Sequence, residues 1–416
     1  MIEQALPVRP TLAALTRAFH SIGWLSFGGP AGQIALMHRE LVEQRGWVEE
    51  EDFLHGLNLC HLLPGPEAQQ LSIWIGWRLH GWRGGLVAGA LFVVPGALVM
   101  LGLSLAYALA AGAGWFSGLF LGVKAAVLAV VLQALWRIGG RALGDWFRRA
   151  VALAAFAALA LGHWPFPLVI ALAALAGALR PAGASQARRM ATAASLGATL
   201  RTAGLWLAVW LAPLALVGAS LGTNHVLWRI GAFFAKLAVV SFGGAYAVLS
   251  YMAQAAVQQY HWLTPAEMAN GLGLAETTPG PLILVTQFVG FLAAWRLPAP
   301  FTPLVAGVLG ALLTCWMTFA PCFLWIFTAA PWLDRIEQAP RLKGALAAIT
   351  AAVVGVIAQL ALWFAGHVLL PAGRPDWAAL GIAAGSAVLL IALKRRVVEV
   401  VALAAVAGLA LQSLIS

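Results

Sequence analysis

Charged residues are scarce in this chain of 416 residues. Asp, Glu, Lys and Arg together make up 10% of the sequence, whereas an average soluble domain carries about 25%. Hydrophobic residues make up 62%, so the chain lacks the polar surface that a soluble fold needs. This deficit excludes a soluble enzyme and a nucleic-acid-binding protein. Cysteine is also rare: Cys60, Cys315 and Cys322 have no CxxC spacing, which excludes a secreted disulfide scaffold and gives no sign of a metal or redox site.

Long apolar runs are abundant instead. Several approach or exceed the roughly 20 residues that an α-helix needs to cross a bilayer, among them Leu86–Ala111, Trp115–Leu135, Gly344–Gly366 and Val397–Ile415. The sequence therefore predicts an all-α polytopic membrane protein with about 10–14 membrane segments. Its net charge of +10 is typical of basic cytoplasmic loops. We find no nucleotide-binding glycine loop and no HExxH motif, so no cofactor, metal or catalytic residue is expected.

The sequence contains an internal repeat. Ser26-Phe27-Gly28-Gly29 recurs 215 residues later as Ser241-Phe242-Gly243-Gly244, and Pro64-Gly65-Pro66 recurs at the same offset as Pro279-Gly280-Pro281. Between these motifs 14 of 41 aligned positions are identical, which indicates a duplication. Further along the offset becomes 226, where Lys124 aligns with Thr350. We assign residues 11–180 to the first copy, 181–224 to a connecting loop with an extra span, and 225–416 to the second copy.

The distribution of basic residues predicts that the two copies have inverted topology. One loop of the first copy holds Arg137, Arg141, Arg148 and Arg149, whereas its counterpart near His367–Arg374 has a single Arg. Basic residues collect in cytoplasmic loops, and two more loop pairs differ in the same way: Gly112–Gly118 against Arg335, Arg341 and Lys343, and His163–Pro167 against Lys394–Arg396. Inverted repeats are a feature of secondary transporters, whose substrate site lies near the membrane midplane.

Each copy is predicted to contain two broken or re-entrant helices. Proline removes a backbone donor and disfavours helix at the preceding residue, and unwound backbone at membrane depth is tolerated where it lines a cavity. The helix that follows a break presents unpaired N–H groups and the positive end of its dipole, which together favour an anion. The substrate-binding candidates are therefore the residues of the four breaks: Gly28, Gly29, Pro64, Gly65, Pro66, Gly243, Gly244, Pro279, Gly280 and Pro281.

Four ionisable residues near or within the apolar spans are further candidates, because such residues are costly in a membrane. Lys124 lies near the middle of Trp115–Leu135, and we expect it to supply positive charge to the anion pathway; an ion pair with a carboxylate is the alternative. His61, Glu67 and Glu276 flank the Pro-Gly-Pro motifs and are candidates for proton coupling. For Glu67, capping of a helix N-terminus is the alternative.

These paired motifs resemble the chromate ion transporter (CHR) family in its long, two-domain form. The resemblance rests on Ser26–Pro30, Trp47, Leu63–Pro66 with Ile75-Gly76, and the second-half motifs Ser241–Gly244 and Thr278–Pro281. It covers both halves, although Ala245 stands where the first copy has Pro30. The resemblance implies gradient-driven export of chromate across the bacterial inner membrane, antiparallel halves, and chromate resistance.

Alternative functions remain open at the level of the sequence. Sulfate is a tetrahedral dianion of similar size, so a sulfate or other oxyanion transporter or exchanger is the main alternative. A membrane-bound chromate reductase is a second one, and it requires a redox centre that the scattered cysteines do not provide. Chromate or sulfate and membrane lipid are thus the expected partners, with no nucleic acid, and the sequence leaves a homodimer open.

Overall fold

The computed structural model describes residues 10–27, 29–110, 113–180, 195–242, 245–332 and 339–415. Across these ranges the protein is built from 16 α-helices joined by short turns, and no strand is found there. The predicted all-α fold is confirmed. Six residues named above lie outside the described ranges: Gly28, Ala111, Gly112, Gly243, Gly244 and Arg335.

The first copy contributes seven of the helices. They are α1 (Leu12–Leu25), α2 (Gly29–His38), α3 (Glu50–Leu62), α4 (Glu67–Ala110), α5 (Phe116–Ala142), α6 (Trp146–Ala160) and α7 (Phe166–Ala178). One further helix, α8 (Leu196–Leu221), lies between the copies. The second copy contributes α9 (Val226–Val240), α10 (Ala245–Gln254), α11 (Pro265–Thr277), α12 (Val285–Arg296), α13 (Pro303–Ala329), α14 (Pro340–Leu369), α15 (Trp377–Ala387) and α16 (Val397–Ile415).

Six helices of the described part are long and apolar enough to cross a membrane. They include α4, α5, α8, α13 with its following turn, α14 and α16. The most apolar stretch of α8 is only 6% buried within the protein, so this helix presents most of its surface outwards. Shorter apolar helices also occur: Phe166–Ala178, Leu282–Arg296 and Trp377–Ala392. The protein is therefore a multi-pass membrane protein.

Helix α4 reverses direction part of the way along its length. His80 and Gly81 have non-helical backbone angles, with φ of +59° at Gly81. Before and after this turn, Gly76 and Gly84 approach so closely that a Cβ on either would overlap the other's carbonyl oxygen. Segments 67–79 and 82–110 thus form a helical hairpin. In the second copy α12 and α13 form the same hairpin through Gly290 and Gly310, since small residues allow close packing of membrane helices.

The four predicted helix breaks are all observed. The first copy breaks between α1 and α2 and again between α3 and α4, at Leu63–Pro66. The second copy breaks between α9 and α10 and between α11 and the short 3₁₀ turn Leu282–Leu284 that leads into α12. Each break falls where proline or glycine interrupts an apolar segment, so the local sequence accounts for it.

Candidate functional site

The four breaks come together through a reciprocal pair of hydrogen bonds between the two copies. The N–H of Gly65 donates to the carbonyl oxygen of Ser241 at 2.9 Å. The N–H of Gly280 donates to the carbonyl oxygen of Ser26 at 2.7 Å. Each Pro-Gly-Pro motif is therefore joined to the Ser-Phe-Gly-Gly motif of the other copy. This exchange of equivalent bonds is the arrangement that a pseudo-twofold axis through the breaks produces.

The glycines of the breaks are required by their backbone conformation. Gly65 has φ of +119° and Gly280 has φ of +89°, values that residues with a Cβ rarely adopt. The surroundings are also close: a Cβ on Gly96 of α4 would overlap the carbonyl oxygen of Pro279. At the other break, a Cβ on Gly65 would lie 3.2 Å from the Sγ of Cys322 on α13. Each motif thus packs against a spanning helix of the opposite copy.

A large cavity leads from the basic end of the bundle to the breaks. Its volume is about 890 Å³. Helices α2, α3, α5 and α14 form its walls, and at its rim are three arginines predicted from the sequence to share one loop: Arg137, Arg141 and Arg148. Its inner end reaches Pro30, His61 and Glu67. The cavity therefore connects an electropositive opening with the first two breaks.

A second, much smaller cavity lies among the breaks themselves. Its walls combine residues from three of the breaks, with Pro30 and Gln33 from the first, Pro66 and Glu67 from the second, and Pro281 with Leu282 and Ile283 from the fourth. Its volume of about 10 Å³ is near the limit for one water molecule, so an oxyanion requires the walls to move apart. Pro30 and Glu67 line both cavities, so the small cavity lies next to the inner end of the large one.

The first turns of two half-helices face this small cavity. Glu67 and Ala68 begin α4, and Leu282 and Ile283 begin the 3₁₀ turn before α12. First-turn N–H groups have no partner within their own helix and carry the positive end of the dipole. The N–H groups of Gly65 and Gly280, in contrast, are engaged by the serine carbonyls. The backbone N–H groups that remain available to an anion are therefore those of the turns that follow each Pro-Gly-Pro motif, and the N–H groups of the motif glycines are not among them.

His61 and Glu67 form an ion pair across the first Pro-Gly-Pro motif. The Nδ1 atom of His61 lies 3.3 Å from Oε1 of Glu67. The Glu67 side chain is 17% exposed and that of His61 is 48% exposed, and both line the large cavity. Two residues that the sequence singled out separately thus lie together as one pair at the inner end of the large cavity, and their role in proton coupling stays a prediction.

Lys124 and Glu276 line neither cavity. Lys124 is half-buried on α5, and the carboxylate whose charge acts on it is that of Asp376, at the N-terminus of α15. Glu276 is buried on α11, 6% exposed, in the turn before Thr278. Thr350, the counterpart of Lys124 in the second copy, does line the large cavity. The roles predicted for Lys124 and Glu276 stay predictions.

Buried glutamines surround the breaks, and neither Gln33 nor Gln70 was singled out from the sequence. Gln33, 1% exposed, lines the small cavity and donates from Nε2 to the carbonyl oxygen of Gly280 at 2.6 Å. Gln70 donates to the carbonyl oxygen of Pro64 at 2.6 Å. The Oε1 atoms of both have no hydrogen-bond partner among the described residues. Buried polar atoms normally have one. The unpaired atom of Gln33 is an acceptor, so only the N–H groups of its Nε2 atom are able to donate to an anion.

Asp145 holds one rim arginine in place. It caps α6 by accepting a hydrogen bond from the N–H of Arg148 at 2.9 Å, and this bond keeps the pKa of the carboxyl below its usual range. The carboxylate also lies 3.2 Å from Nε of Arg148. Arg148 is therefore tethered at the opening, while Arg137 and Arg141 extend from the last turns of α5.

An all-helical membrane bundle with paired broken helices, and with a charged path leading to them, has the architecture of a secondary transporter. The chain belongs to the chromate transporter family, whose model matches residues 13–178 and 228–409. These two matches cover most of both copies of the repeat and leave out the whole connecting segment, residues 181–224.

Named relatives agree with this assignment. The chain is 29% identical over 83% of its length to a chromate transport protein of Cupriavidus metallidurans, covering 81% of that protein. It is 31% identical over 85% of its length to a chromate transport protein of Pseudomonas aeruginosa, again covering 81%. An uncharacterized transporter of Bacillus subtilis, YwrA, is 31% identical over 30% of this chain and 70% of its own length. No solved structure matches the chain significantly.

Proposed function

We propose that this protein exports chromate across the bacterial inner membrane and thereby gives resistance to chromate. The observation that carries the proposal is the large cavity, which is lined by three arginines at its rim and by Pro30 and Glu67 at the helix breaks, beside the small cavity. Membership of the chromate transporter family supports the substrate. The names of the full-length relatives support transport in place of a chemical reaction.

The path suits a small multiply charged anion. Rim arginines raise the local concentration of anions and speed their entry. At the inner end, the first-turn N–H groups after Pro66 and Pro281 direct partial positive charge at the small cavity. Gln33 adds an amide that bonds directly to Gly280. The anion is thus held mainly by backbone dipoles and a neutral amide. These groups bind it less tightly than a buried cation would, so the anion is able to leave again.

The two copies are inverted relative to each other, with the basic loops in the cytoplasm. The reciprocal Gly65–Ser241 and Gly280–Ser26 bonds support an axis between the copies. The positive-inside rule supports the orientation. In this orientation the large cavity opens to the cytoplasm, from which an exporter collects its substrate.

The membrane potential favours efflux of a dianion. The potential contributes about 2.3 kcal/mol per elementary charge per 100 mV, hence about 4.6 kcal/mol for two charges moving out of a negative interior. Uptake of the same dianion requires that amount from another gradient. The electrical term therefore agrees with export.

The His61–Glu67 pair couples transport to protons. Because the Glu67 carboxylate lines the small cavity, it repels an entering dianion, and occupancy of the cavity favours the protonated side chain. His61, 3.3 Å away, exchanges a proton near neutral pH. Glu276, at the position equivalent to His61 in the second copy, is the corresponding group at the other break.

The test is uptake of radioactive chromate by everted membrane vesicles that contain this protein. We expect accumulation when the vesicle interior is made positive, and a change in rate when a proton gradient is imposed. Vesicles with the Gly96→Ala variant serve as a transport-deficient control with the same membrane content. No accumulation of chromate in vesicles that carry the protein contradicts the proposal.

Sulfate is the second candidate substrate, because the backbone donors and Gln33 fit any tetrahedral dianion. An excess of sulfate separates the two: partial inhibition of chromate uptake favours chromate as the substrate. If the vesicles take up sulfate and no chromate, the proposed anion site is retained and the substrate is sulfate. The reductase alternative is tested by the visible absorption spectrum of the purified protein, in which a redox centre appears as a band.

A further inference from the structure

The large cavity has a counterpart region in the second copy that is closed. The offsets of 215 and 226 residues that relate the copies convert each wall residue into its counterpart. Ile34 and Leu57, for example, become Leu249 and Leu272. Six of the counterparts are at most 3% exposed: Leu249, Ala253, Met268, Ala269, Leu272 and Phe364. The counterparts of the outer residues of the cavity, Gln258, His367 and Arg374, are exposed. One side of the molecule is thus open where the equivalent surfaces of the other side are packed together.

Helix α11 closes this region by packing against α5. A Cβ placed on Gly273 would overlap Val123 and would lie 3.2 Å from Cγ2 of Val127. The equivalent positions in the first copy are Asn58, which is exposed, and Ile349 on α14. Contact between α11 and α5 therefore corresponds to the gap between α3 and α14 across the large cavity.

Polar and aromatic contacts seal the same region. Asn270 of α11 donates from Nδ2 to the hydroxyl oxygen of Tyr107 at 2.9 Å. The Tyr107 ring meets Phe120 and Phe288 edge to face, with centroids 5.1 and 5.0 Å apart. Tyr107 lies at the end of α4 that is remote from the Gly81 turn, so these contacts lie at the end of the bundle away from the rim arginines.

We propose that these surfaces separate to form a second vestibule, with Lys124 in its wall at the position that Thr350 occupies in the open one. The inference rests on the proposed transport function and adds the residues that form the opposite opening. Opening exchanges the conformations of the two copies: α11 leaves Val123 and Val127, while α3 closes on α14. Lys124 then supplies part of the positive charge that the rim arginines supply at the first opening. At the counterpart positions of the second copy, Trp363 and His367 replace Arg137 and Arg141, and Arg374 replaces Arg148.

Thiol labelling in oriented vesicles tests which opening each residue faces. Thr350→Cys and Lys124→Cys are made in a chain with its native cysteines replaced by alanine, and an anionic membrane-impermeant thiol reagent is added from one side at a time. We expect Thr350→Cys to react from the side of the basic loops and Lys124→Cys from the opposite side. Reaction of Lys124→Cys from the basic side, or from neither side in every background tested, overturns the proposal.

A small substitution at the gate sharpens this experiment. Gly273→Ala prevents close packing against Val123, so the closed arrangement loses stability and the open one gains population. Labelling of Lys124→Cys is expected to become at least about fivefold faster in this background. Gly366→Ala, which adds a methyl group where nothing lies within 4 Å, is the matched control. An equal effect of the two alanines contradicts a gate at Gly273.

Disulfide formation provides an independent test. An ideal Cβ on Gly273 lies 3.6 Å from the Cβ of Val123, within the range of about 3.5–4.5 Å found in disulfides. The Val123→Cys/Gly273→Cys pair is expected to cross-link readily and to stop transport until it is reduced. The counterpart pair Asn58→Cys/Ile349→Cys is expected to cross-link only when the large cavity closes. Efficient cross-linking of both pairs in the resting protein overturns the exchange of conformations.

These tests separate the second vestibule from the proposed substrate. Labelling and cross-linking use no chromate. If labelling follows the expected pattern and the protein transports no chromate, the second vestibule is supported and the proposed function is contradicted. If the protein transports chromate and Lys124→Cys reacts from the side of the basic loops, only the second vestibule is contradicted.

Discussion

The two Pro-Gly-Pro breaks share one backbone arrangement and differ in their side chains. In both, the glycine has positive φ and its N–H binds a serine carbonyl of the other copy. Around the first break, His61 and Glu67 form an ion pair that lines an open cavity. The equivalent positions of the second break hold Glu276 and Leu282, both buried. Duplication has thus preserved the scaffold while the ionisable chemistry diverged.

This difference separates two requirements. A scaffold that joins the copies has to be intact at both breaks for either to hold its shape. A response to pH, in contrast, needs ionisable groups at the site, and the pair exposed to the cavity in this conformation belongs to the first break. Substitutions of the scaffold are therefore expected to act equally through either copy, whereas substitutions of charge act through one.

The largest effect is expected from Gly96→Ala on α4. The added Cβ overlaps the carbonyl oxygen of Pro279, so the second Pro-Gly-Pro motif is displaced from its position beside Ser26. Overpacking costs about 1–3 kcal/mol, which corresponds to a transport rate about fivefold to 150-fold lower if the packed arrangement is needed. Initial rates of chromate uptake, normalised to the amount of protein in the membrane, provide the measurement.

Gly102→Ala is the matched control for this substitution. Gly102 lies on the same helix, and nothing is within 4 Å of its ideal Cβ position. We expect a rate close to that of the unmodified protein. A similar loss in both variants means that α4 tolerates no alanine for reasons of helix structure, and the contact with Pro279 is then not the cause.

The second effect in size is expected from Glu67→Gln. Removal of the carboxylate that faces the small cavity takes away the charged partner of His61, so the dependence of the rate on pH is expected to flatten between about pH 6 and 8, where a change in the charge of His61 no longer acts through the pair. Because protonation lowers the negative charge beside the anion, the unmodified protein is expected to work faster as the pH falls. Chromate uptake measured across this range with a constant membrane potential shows the difference.

Glu43→Gln is the control for the loss of a negative charge. Glu43 lines the same large cavity and lies 3.1 Å from Nδ1 of His38, far along the path from the breaks. We expect it to keep the pH profile of the unmodified protein. If the dependence of the transport rate on pH flattens equally in both variants, the pH response arises from the overall charge of the cavity and does not depend on Glu67 in particular.

The breaks could be predicted from the sequence because proline and glycine act locally. Pro64–Pro66 and its second-half equivalent interrupt helices through their own backbone chemistry, and the repeat identifies them as a pair. The contact of Gln33 with Gly280 joins residues 247 positions apart, so nothing in the local sequence around either residue predicts it. Lys124 shows the opposite limit: its charge marks it as unusual, but a helix that is apolar on all sides gives no indication of which face meets the cavity.

A smaller effect is expected from Arg141→Ala at the rim. Arg141 lines the large cavity and acts at a distance on entering anions, so its loss lowers the rate of encounter more than the turnover of bound substrate. We expect KM for chromate to rise by about twofold to fivefold with kcat unchanged, and the difference to shrink as salt is added. Arg149→Ala, which removes an equal charge outside the cavity wall, is expected to change KM less. Equal effects of the two substitutions indicate a general surface potential with no path through this cavity.

The smallest expected effects concern two ion pairs, one in each copy, at the first turns of α3 and α11. Asp52 on α3 pairs with Arg78 at 3.2 Å, and Glu267 on α11 pairs with Arg296. Glu267 also exchanges hydrogen bonds with Thr264 in a capping box. Asp52→Ala is therefore expected to cost about 0–1 kcal/mol, as exposed pairs do, and Glu267→Ala about 1–2 kcal/mol because a helix cap is lost as well. Thermal unfolding of the purified variants in detergent ranks them. A larger loss of unfolding free energy for Asp52→Ala than for Glu267→Ala contradicts this prediction. It means that the first copy depends on its ion pair more than the second copy depends on its ion pair and helix cap together.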